Sequence, residues 1–411
     1  MAKKRPTIGV RPQFHQLYVH FGPGNLPQTM GSIALRFNTG VFVTITMQQY
    51  WPHTVPFAAG LTALVVWGNP LGWTAVALSS LALVGAVLAS VHHAEVIAHK
   101  VGEPYGTLVL ALAVTIIEVA LIVSLMLADG AAAHTGGVDS PTATLPRDTI
   151  YAAIMIICNG VVGMCILLGG MRHREQSFRI ESAHSGLAAL ATLAGLVLVL
   201  PNYTTSSPEG TYTPSQLIFA ALSSVSLWAV YVFIQTVRHR DYFLPASAAH
   251  DESVHATPPS TRRTAWSFLL LLIALVTVVA LAKLLSPSLE AGLRAFDAPV
   301  QMVGILIALL VLLPETLAAL RAAHADRLQT SMNLALGSAL ASIGLTIPSV
   351  VALSVWLDLP LTLGLEPKDI AMLALTFGVS AITLVSGRTH VMHGAIHLCL
   401  FAAFLFLTLV P

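Results

Sequence analysis

Charged residues are scarce in this sequence: Asp, Glu, Lys and Arg make up only 9% of its 411 residues. Soluble domains carry roughly 25%. This shortage, together with 55% hydrophobic residues and a mean hydropathy of +0.78, excludes an ordinary soluble globular enzyme. A transmembrane helix needs about 20 mostly apolar residues, and the chain contains enough such stretches for ten or more. The composition therefore predicts an all-α polytopic membrane protein.

Cysteine is scarce too. Cys158, Cys165 and Cys399 lie in apolar segments and form no C-x-x-C pair, so we expect neither a disulfide nor a zinc site from them. The basic start K-K-R at residues 3–5 is followed by polar and proline-rich residues, where a signal peptide would have an apolar region. We also expect no cofactor and no nucleic-acid partner.

Eleven apolar stretches, separated by segments rich in Gly, Pro, Ser and Asp, are candidate membrane helices. Their approximate limits are 52–69, 73–98, 105–128, 149–170, 184–200, 215–237, 266–286, 299–320, 332–355, 369–387 and 391–410. The first is the weakest, because it is short and contains Pro52 and Pro56. The resulting segments are a poorly ordered N-terminal extension (1–50), a first helix (51–72), a first repeat half (73–237), a cytoplasmic linker (238–265) and a second repeat half (266–411).

The distribution of Lys and Arg tests this division, because basic residues favour cytoplasmic loops. When the N-terminus is placed inside, sixteen of the twenty basic residues fall inside. Four lie outside or near the outer helix ends: Arg147, Lys283, Arg294 and Lys368. A span missed in the middle of the chain would destroy this asymmetry. The pattern predicts a cytoplasmic N-terminus and an external C-terminus.

Two apolar segments resemble each other and end in a lone glutamate. G-T-L-V-L-A-L-A-V-T-I-I-E ends at Glu118, and G-I-L-I-A-L-L-V-L-L-P-E ends at Glu315. An N-x-x-x-G pattern follows on the next helix of each half, starting at Asn159 and at Asn333. The two glutamates lie in predicted helices three and eight, which run through the membrane in opposite directions. The pattern indicates an inverted repeat, which in secondary transporters places the binding site near the midplane.

Glu118 and Glu315 are both surrounded by apolar residues. A charged carboxylate at the bilayer centre costs about 2.5 kcal/mol or more, so two at matching repeat positions indicate a function. The alternative is that each stays protonated and hydrogen-bonds to a neighbouring helix. Two carboxylates in a low dielectric resist double ionisation, and a cation such as Ca²⁺, which takes oxygen ligands, can replace their protons. If only an occupied, charge-compensated site can change sides, obligatory exchange follows.

Further oxygen donors are available in the same helices, although each taken alone is better explained by packing between helices. They are Thr115, Asn159, Asn333 and Ser338. Pro314 lacks a backbone N–H, so we expect it to break the helix immediately before Glu315 and to free a carbonyl one turn earlier.

Two groups of histidines also raise the question of a site. Three histidines spaced i, i+3 and i+7 would share one face of the last helix: His390, His393 and His397. Because no acid lies beside them, hydrogen bonding between helices is the alternative to a zinc site. A second group lies at the predicted cytoplasmic end of helix two and could sense pH, with a solvated helix end as the alternative: His93, Glu95 and His99. The second group does not form H-E-x-x-H, so a metalloprotease is not indicated.

Five stretches carry a family resemblance that runs from about residue 55 to the end. They are H-A-E-V-I-A-H-K-V-G-E-P-Y-G-T-L-V-L-A-L-A-V-T-I-I-E-V-A-L-I from His93, R-D-T-I-Y-A-A-I-M-I-I from Arg147, L-P-E-T-L-A-A-L from Leu313, M-N-L-A-L-G-S-A-L-A-S-I-G-L-T-I-P from Met332 and S-G-R-T-H-V-M-H-G-A-I-H-L from Ser386. In these motifs the sequence resembles the bacterial calcium/proton antiporters, also described as sodium–potassium/proton antiporters, of the calcium/cation antiporter superfamily.

The resemblance implies an eleven-helix fold with two inverted five-helix repeats and an extra first helix. It also implies that Glu118 and Glu315 are the essential ion-binding acids, with Asn159 and the Gly337–Ser338 region near the site. Two features depart from the family. The usual strongly acidic loop between the halves is replaced by a linker with few acids, and the N-terminal extension has no counterpart.

The function predicted from these observations is a secondary transporter, not an enzyme. It would exchange cytoplasmic Ca²⁺, Na⁺ or K⁺ for external protons by alternating access in the bacterial cytoplasmic membrane. The expected partners are inorganic cations, protons and the lipid bilayer. A cation channel and an intramembrane enzyme that uses the same buried acids are the alternatives. The inverted repeat argues against the channel, and the chain lacks the nucleophile or metal motif that an enzyme would need.

Overall fold

The computed structural model describes residues 32–36, 42–46, 50–68, 72–101, 105–128, 141–208, 210–243, 259–295, 299 and 301–410. The chain divides into two compact units, Met1–Tyr50 and Trp51–Pro411. In the first unit, β1 (Ser32–Arg36) pairs antiparallel with β2 (Phe42–Thr46). This hairpin was not predicted. The rest of the predicted poorly ordered extension lies outside the described residues.

The second unit consists of helices joined by short connections. Their bounds are α1 Trp51–Val66, α2 Trp73–Val101, α3 Tyr105–Ala128, α4 Pro141–Met155, α5 Val162–His173, α6 Ile180–Ala194, α7 Pro214–Phe233, α8 Arg240–Phe243, α9 Thr261–Ala295, α10 Gln301–His324, α11 Leu328–Leu357, α12 Pro367–Leu384 and α13 Val391–Leu409. Three π-helical segments extend α4, α6 and α7, at Ile156–Val161, Gly195–Val199 and Ile234–Arg238 respectively. The second of these segments is followed by a 3₁₀ turn at Leu200–Tyr203. Two short strands pair with each other, β3 Glu175–Ser177 and β4 Arg388–His390.

All eleven predicted stretches are helical, but not all meet the length expected of a membrane span. Within the described residues, eight helices are long and apolar enough to cross a membrane, or nine if the two parts of α10 form one span. Two shorter apolar helices, Trp51–Val66 and Leu112–Leu127, coincide with predicted helices one and three. The structure therefore confirms a polytopic helical protein, and the number eleven stays a prediction.

Two boundaries differ from the predicted ones. The helix expected to start near residue 149 begins at Pro141, because hydropathy does not register its polar first turns. Proline suits a first helical position, where no N–H is needed. The predicted linker 238–265 contains the short helix α8 and the start of α9 at Thr261, and its middle part lies outside the described residues.

The buried apolar side chains form two main clusters. The larger cluster is contributed mostly by α4 to α7 and α10 to α13, and the smaller one mostly by α1, α2, α3, α9 and α10. Helix α3 contributes Ile117 to the smaller cluster and Ile122 to the larger one. Helix α10 likewise contributes Val311 to the smaller cluster and Leu312 to the larger one. These two helices, which carry the paired glutamates, therefore run between the two clusters.

The two ends of the second unit are tied by different contacts. At one end β3 pairs with β4, and His173 Nε2 donates to the His324 carbonyl at 3.1 Å. At the other end the loop 359–365 is almost wholly buried. Arg147, also buried, donates to Asp148 Oδ1 at 2.8 Å and to the Gly364 carbonyl at 3.0 Å. A buried cation needs such partners because its removal from water is costly.

Helices α5 and α13 approach each other closely at Gly394. A Cβ added at Gly394 would lie 2.5 Å from the Leu167 nitrogen and 2.8 Å from the Gly163 oxygen. Both neighbours are backbone atoms, so they cannot move aside as a flexible side chain would. Small residues allow this close approach, which is a main source of helix association in membranes.

We expect Gly394→Ala to destabilise the protein by about 1–3 kcal/mol, because the added methyl group would overpack a backbone contact. The measurement is thermal unfolding of the purified protein in detergent. The control is Gly378→Ala on α12, where nothing lies within 4 Å of the added Cβ. We expect that change to be neutral or to stabilise the helix by up to about 1 kcal/mol. Equal unfolding temperatures for the two variants would contradict the close packing.

Candidate functional site

Glu118 lies near the middle of α3, about 20 Å along the helix from its first residue at a rise of about 1.5 Å per residue. Its side chain is 3% exposed. Ser342 on α11, itself 3% exposed, donates a hydrogen bond to Glu118 Oε1 at 2.6 Å. This pairing satisfies part of the hydrogen-bonding capacity of a carboxyl group in an apolar environment, where unmade hydrogen bonds are costly.

Glu315 lies in α10 directly after a sharp bend. The parts Gln301–Leu313 and Glu315–His324 are inclined to each other by 54°. Sharp kinks of this kind are almost always caused by proline, and Pro314 stands at the bend as the sequence predicts. The Glu315 oxygen Oε2 is buried and has no hydrogen-bond partner. Its carboxyl group lies within electrostatic range of Glu118, so the structure brings together the two acids that the repeat pattern paired.

Hydroxyl groups on α11 lie beside Glu118. Ser342 donates to its carboxyl group, and Thr346, one turn further on, is fully buried next to the same carboxyl group. Ser338 lies one turn before Ser342 and is partly buried. The sequence pattern predicted Ser338 as a ligand but not Ser342 or Thr346. The signal was present, since residues four apart share a helix face.

Two further predicted ligands lie on α3 and α11. Thr115, one turn before Glu118 on α3, is 4% exposed. Gly337, next to Ser338, is partly exposed, and a Cβ at this position would meet nothing within 4 Å.

Asn159 lies in the π-helical segment Ile156–Val161 and is fully buried. Its amide nitrogen donates to Thr376 Oγ1 at 2.9 Å, and its oxygen accepts from His397 Nδ1 at 3.2 Å. Its described hydrogen bonds therefore lead to α12 and α13 and not to the glutamates. π-Helical segments are frequent at functional sites, but here the side chain is engaged in a contact between helices.

Asn333 is not brought to the acids. It lies nine residues before Ser342 on α11, about 13 Å along the axis. Its amide nitrogen donates to the Phe243 carbonyl at 2.6 Å, and its oxygen accepts from Gln329 at 3.0 Å. The prediction of Asn333 as a ligand is therefore not supported by its position. The N-x-x-x-G match that suggested it reflects a general packing pattern of membrane helices.

The group predicted to sense pH is divided in the structure. His93 is fully buried and donates from Nε2 to the Pro52 carbonyl at 2.9 Å. Glu95 and His99 are exposed and act on each other electrostatically. Residues two apart on a helix do not face each other, which explains the separation of His93 from Glu95. Residues four apart on a helix lie on the same face, which explains why Glu95 and His99 interact.

The histidines of the last helix do not converge on a metal. His397 is 1% exposed, and its Nδ1 donates to Asn159 Oδ1. Its other ring nitrogen, Nε2, lies 3.2 Å from Thr383 Oγ1. The rings of His390 and His393 lie 4.2 Å apart. Among the residues that the structure describes, no group of three or more His, Cys, Asp or Glu side chains could hold a metal ion. Hydrogen bonding between helices, the alternative to zinc, is confirmed for His397.

The polar groups that α3, α10 and α11 bring together here are two carboxyl groups and the hydroxyls beside Glu118. Oxygen ligands suit hard cations. The charges that act on Glu315 come from two other acids, Glu118 and Glu95. The arrangement can therefore bind protons, or a cation in place of protons.

We expect Ser342→Ala to destabilise the protein by about 1–3 kcal/mol, because Glu118 would keep its buried acceptor and lose its donor. Thermal unfolding in detergent measures the change. Ser349→Ala is the matched control, since the Ser349 hydroxyl bonds the Leu345 carbonyl of its own helix on an exposed face. A Ser342 variant as stable as this control would show that the contact with Glu118 contributes nothing.

Comparison with protein families gives a match over most of the chain. The model described as sodium/calcium exchanger protein matches residues 71–237 and 266–410. The two matched ranges correspond closely to the predicted first and second halves, and each contains one of the paired glutamates. The interval between them is the predicted linker.

Two curated proteins are similar along nearly their whole length. "Putative ionic transporter y4hA" of Sinorhizobium fredii is 47% identical over 368 residues, covering 88% of this chain and 96% of that protein. "Sodium-potassium/proton antiporter ChaA" of Escherichia coli is 38% identical over 351 residues, covering 84% of this chain and 92% of that protein.

A solved structure shares the fold. The crystal structure of the H⁺/Ca²⁺ exchanger CAX superposes with a TM-score of 0.63 at 17% identity, and the match covers 87% of each chain. The structure of native YfkE gives the same TM-score at 14% identity, covering 88% of this chain and 99% of that one. At these identities the likeness concerns the fold alone.

Proposed function

This chain belongs to the sodium/calcium exchanger protein family, and on that premise we propose that it exchanges a cytoplasmic cation for external protons at Glu118 and Glu315. The observation that carries the proposal is the proximity of two acids, the buried Glu118, which Ser342 hydrogen-bonds, and the partly buried Glu315, which has a buried oxygen that lacks a partner. The family resemblance is confirmed, as is the class: an integral membrane secondary transporter, not an enzyme.

Competition for the same oxygen atoms would couple the two fluxes. Two carboxylates held close together in a low dielectric strongly disfavour double ionisation. Their charge is compensated either by protons or by a bound cation. If the empty, doubly charged site cannot change sides, cation and protons must cross in alternation. Each turnover then exchanges one for the other.

The proposed cation is Ca²⁺, with Na⁺ and K⁺ as alternatives. Two carboxylates and several hydroxyl oxygens match the charge and the ligand type that Ca²⁺ prefers. The relative from Escherichia coli is named as a sodium–potassium/proton antiporter and CAX as a H⁺/Ca²⁺ exchanger, so both kinds of ion occur among similar proteins. A monovalent ion would require one of the two acids to stay protonated.

Alternating access would use the position of α3 and α10 between the two apolar clusters. Each of these helices gives one face to each cluster. A small displacement of one cluster relative to the other would open the acids to one side and close them to the other. We propose the orientation that the basic residues predict, with the N-terminus in the bacterial cytoplasm and the C-terminus outside. Glu95 and His99 remain candidates for pH sensing at the cytoplasmic end.

Glu118→Gln and Glu315→Gln should each abolish cation-driven proton flux, because glutamine keeps the size of the side chain but cannot ionise. The measurement uses acidified inverted vesicles, to which Ca²⁺, Na⁺ or K⁺ is added separately while the pH gradient is followed. Glu181→Gln, on an exposed first turn of α6, is the control and should transport normally. Normal transport by both site variants would refute the two-glutamate site.

The exchange should be insensitive to membrane potential. Two protons against one Ca²⁺, or one proton against one Na⁺ or K⁺, leave the charge of the site unchanged. The test imposes a diffusion potential on proteoliposomes and compares initial rates with and without it. A flux that follows the potential would instead indicate net charge movement, as a cation channel would produce. This measurement separates the proposed exchanger from its main alternative.

A further inference from the structure

Glu95 is a third carboxylate that lies near the candidate site. It is exposed, in the last two turns of α2. Its charged neighbours include His99 on its own helix and Arg321 on α10. Its charge also acts on Glu315, which lies about 9 Å before Arg321 along the axis of α10. Glu95 therefore stands between the surface at this end of the second unit and the inner acids.

The three acids form a series of increasing burial. Glu95 is exposed, Glu315 is partly buried with one buried oxygen unpartnered, and Glu118 is 3% exposed and bonded to Ser342. A cation that leaves water loses hydration in steps, and a carboxylate at each step offsets part of that loss. Acidic groups lining an entrance also raise the local concentration of cations.

We propose that Glu95 is the first carboxylate that a cation meets on its way from the cytoplasmic face to Glu315. In this role it sets the apparent affinity for the cation at that face alone. The inference rests on the proposed exchange function and adds to it an access route with a defined side. Glu95 would not bind the ion during the change of sides, so the maximal rate is independent of it.

The contacts of Glu95 favour this role over that of a solvated helix end. A glutamate that only solvated the end of α2 would turn towards water or lipid headgroups. Glu95 instead lies within electrostatic range of Arg321 and Glu315, which both belong to α10, and α2 is in contact with that helix. Arg321 carries the opposite charge at the same place, so its removal should have the opposite effect on cation entry.

The test is the Michaelis constant of Ca²⁺-driven proton flux, with Na⁺ and K⁺ as further added ions, measured separately from each face. Inverted vesicles present the cytoplasmic face, and right-side-out vesicles present the other. We expect Glu95→Gln to raise the constant about three- to tenfold at the cytoplasmic face, the range expected for one partly screened charge. The maximal rate and the constant at the opposite face should not change. Arg321→Gln should lower the constant at the cytoplasmic face.

Two further variants separate charge from structure. Glu181→Gln removes an exposed glutamate from α6 and should leave both constants unchanged. Glu95→Cys in a Cys399→Ser background gives a single exposed thiol among the described cysteines, since Cys158 and Cys165 are buried. Attachment of a negatively charged, sulfonate-bearing thiol reagent should restore the low Michaelis constant at the cytoplasmic face. Attachment of a positively charged, ammonium-bearing reagent should raise that constant further.

A change confined to the cytoplasmic face and reversed by the sulfonate would support the entry role. An unchanged constant, an equal change at both faces, or a change that ignores the sign of the attached charge would overturn it. Failure of the proposed exchange function looks different. In that case the wild-type protein shows no flux with any of the three ions, or Glu118→Gln transports normally.

Discussion

The structure of this protein depends on how two carboxyl groups are kept inside a membrane. Glu118 and Glu315 lie near the middle of apolar helices and close enough to act on each other. An isolated charge in this environment costs several kcal/mol at the least, so the pair requires protons, hydroxyl donors or a cation. Helix α11 supplies Ser342 and Thr346, and Pro314 bends α10 directly before Glu315. These features are all arranged around the same small volume.

Many buried polar groups among the described residues have a hydrogen-bond partner, on another helix or on their own. Asn159 binds Thr376 and His397, Arg147 binds Asp148 and the Gly364 carbonyl, and Gln329 donates to Ser182 and Asn333. Such pairing is the rule for buried polar atoms. Against this background the unpartnered oxygen of Glu315 stands out, since among the described residues it is the carboxylate oxygen left in this state. An unsatisfied carboxylate beside a second acid is a place where a cation or a proton is stabilised.

The helices that carry the acids are also those that join the two apolar clusters. Because α3 and α10 contribute to both clusters, a shift between the clusters would act directly on the carboxylates. Helices α5 and α13, by contrast, are locked by the glycine contact at Gly394 and form part of a closely packed body. The close packing of α5 and α13 therefore differs from the position of α3 and α10, which lie between the two clusters.

The sequence by itself determined the membrane class, the helical stretches and the two acids, because hydropathy and the cost of a buried charge are local properties of the chain. The family resemblance came from contiguous motifs for the same reason. Only the tertiary structure decided which side chains come together: that Ser342 donates to Glu118, that Asn159 bonds to His397, that Asn333 bonds to the Phe243 carbonyl and that Glu95 lies within electrostatic range of Glu315. These contacts join helices far apart in sequence, and many polar residues with suitable spacing compete for each partner. Packing in three dimensions selects among them, and local composition carries no record of that choice.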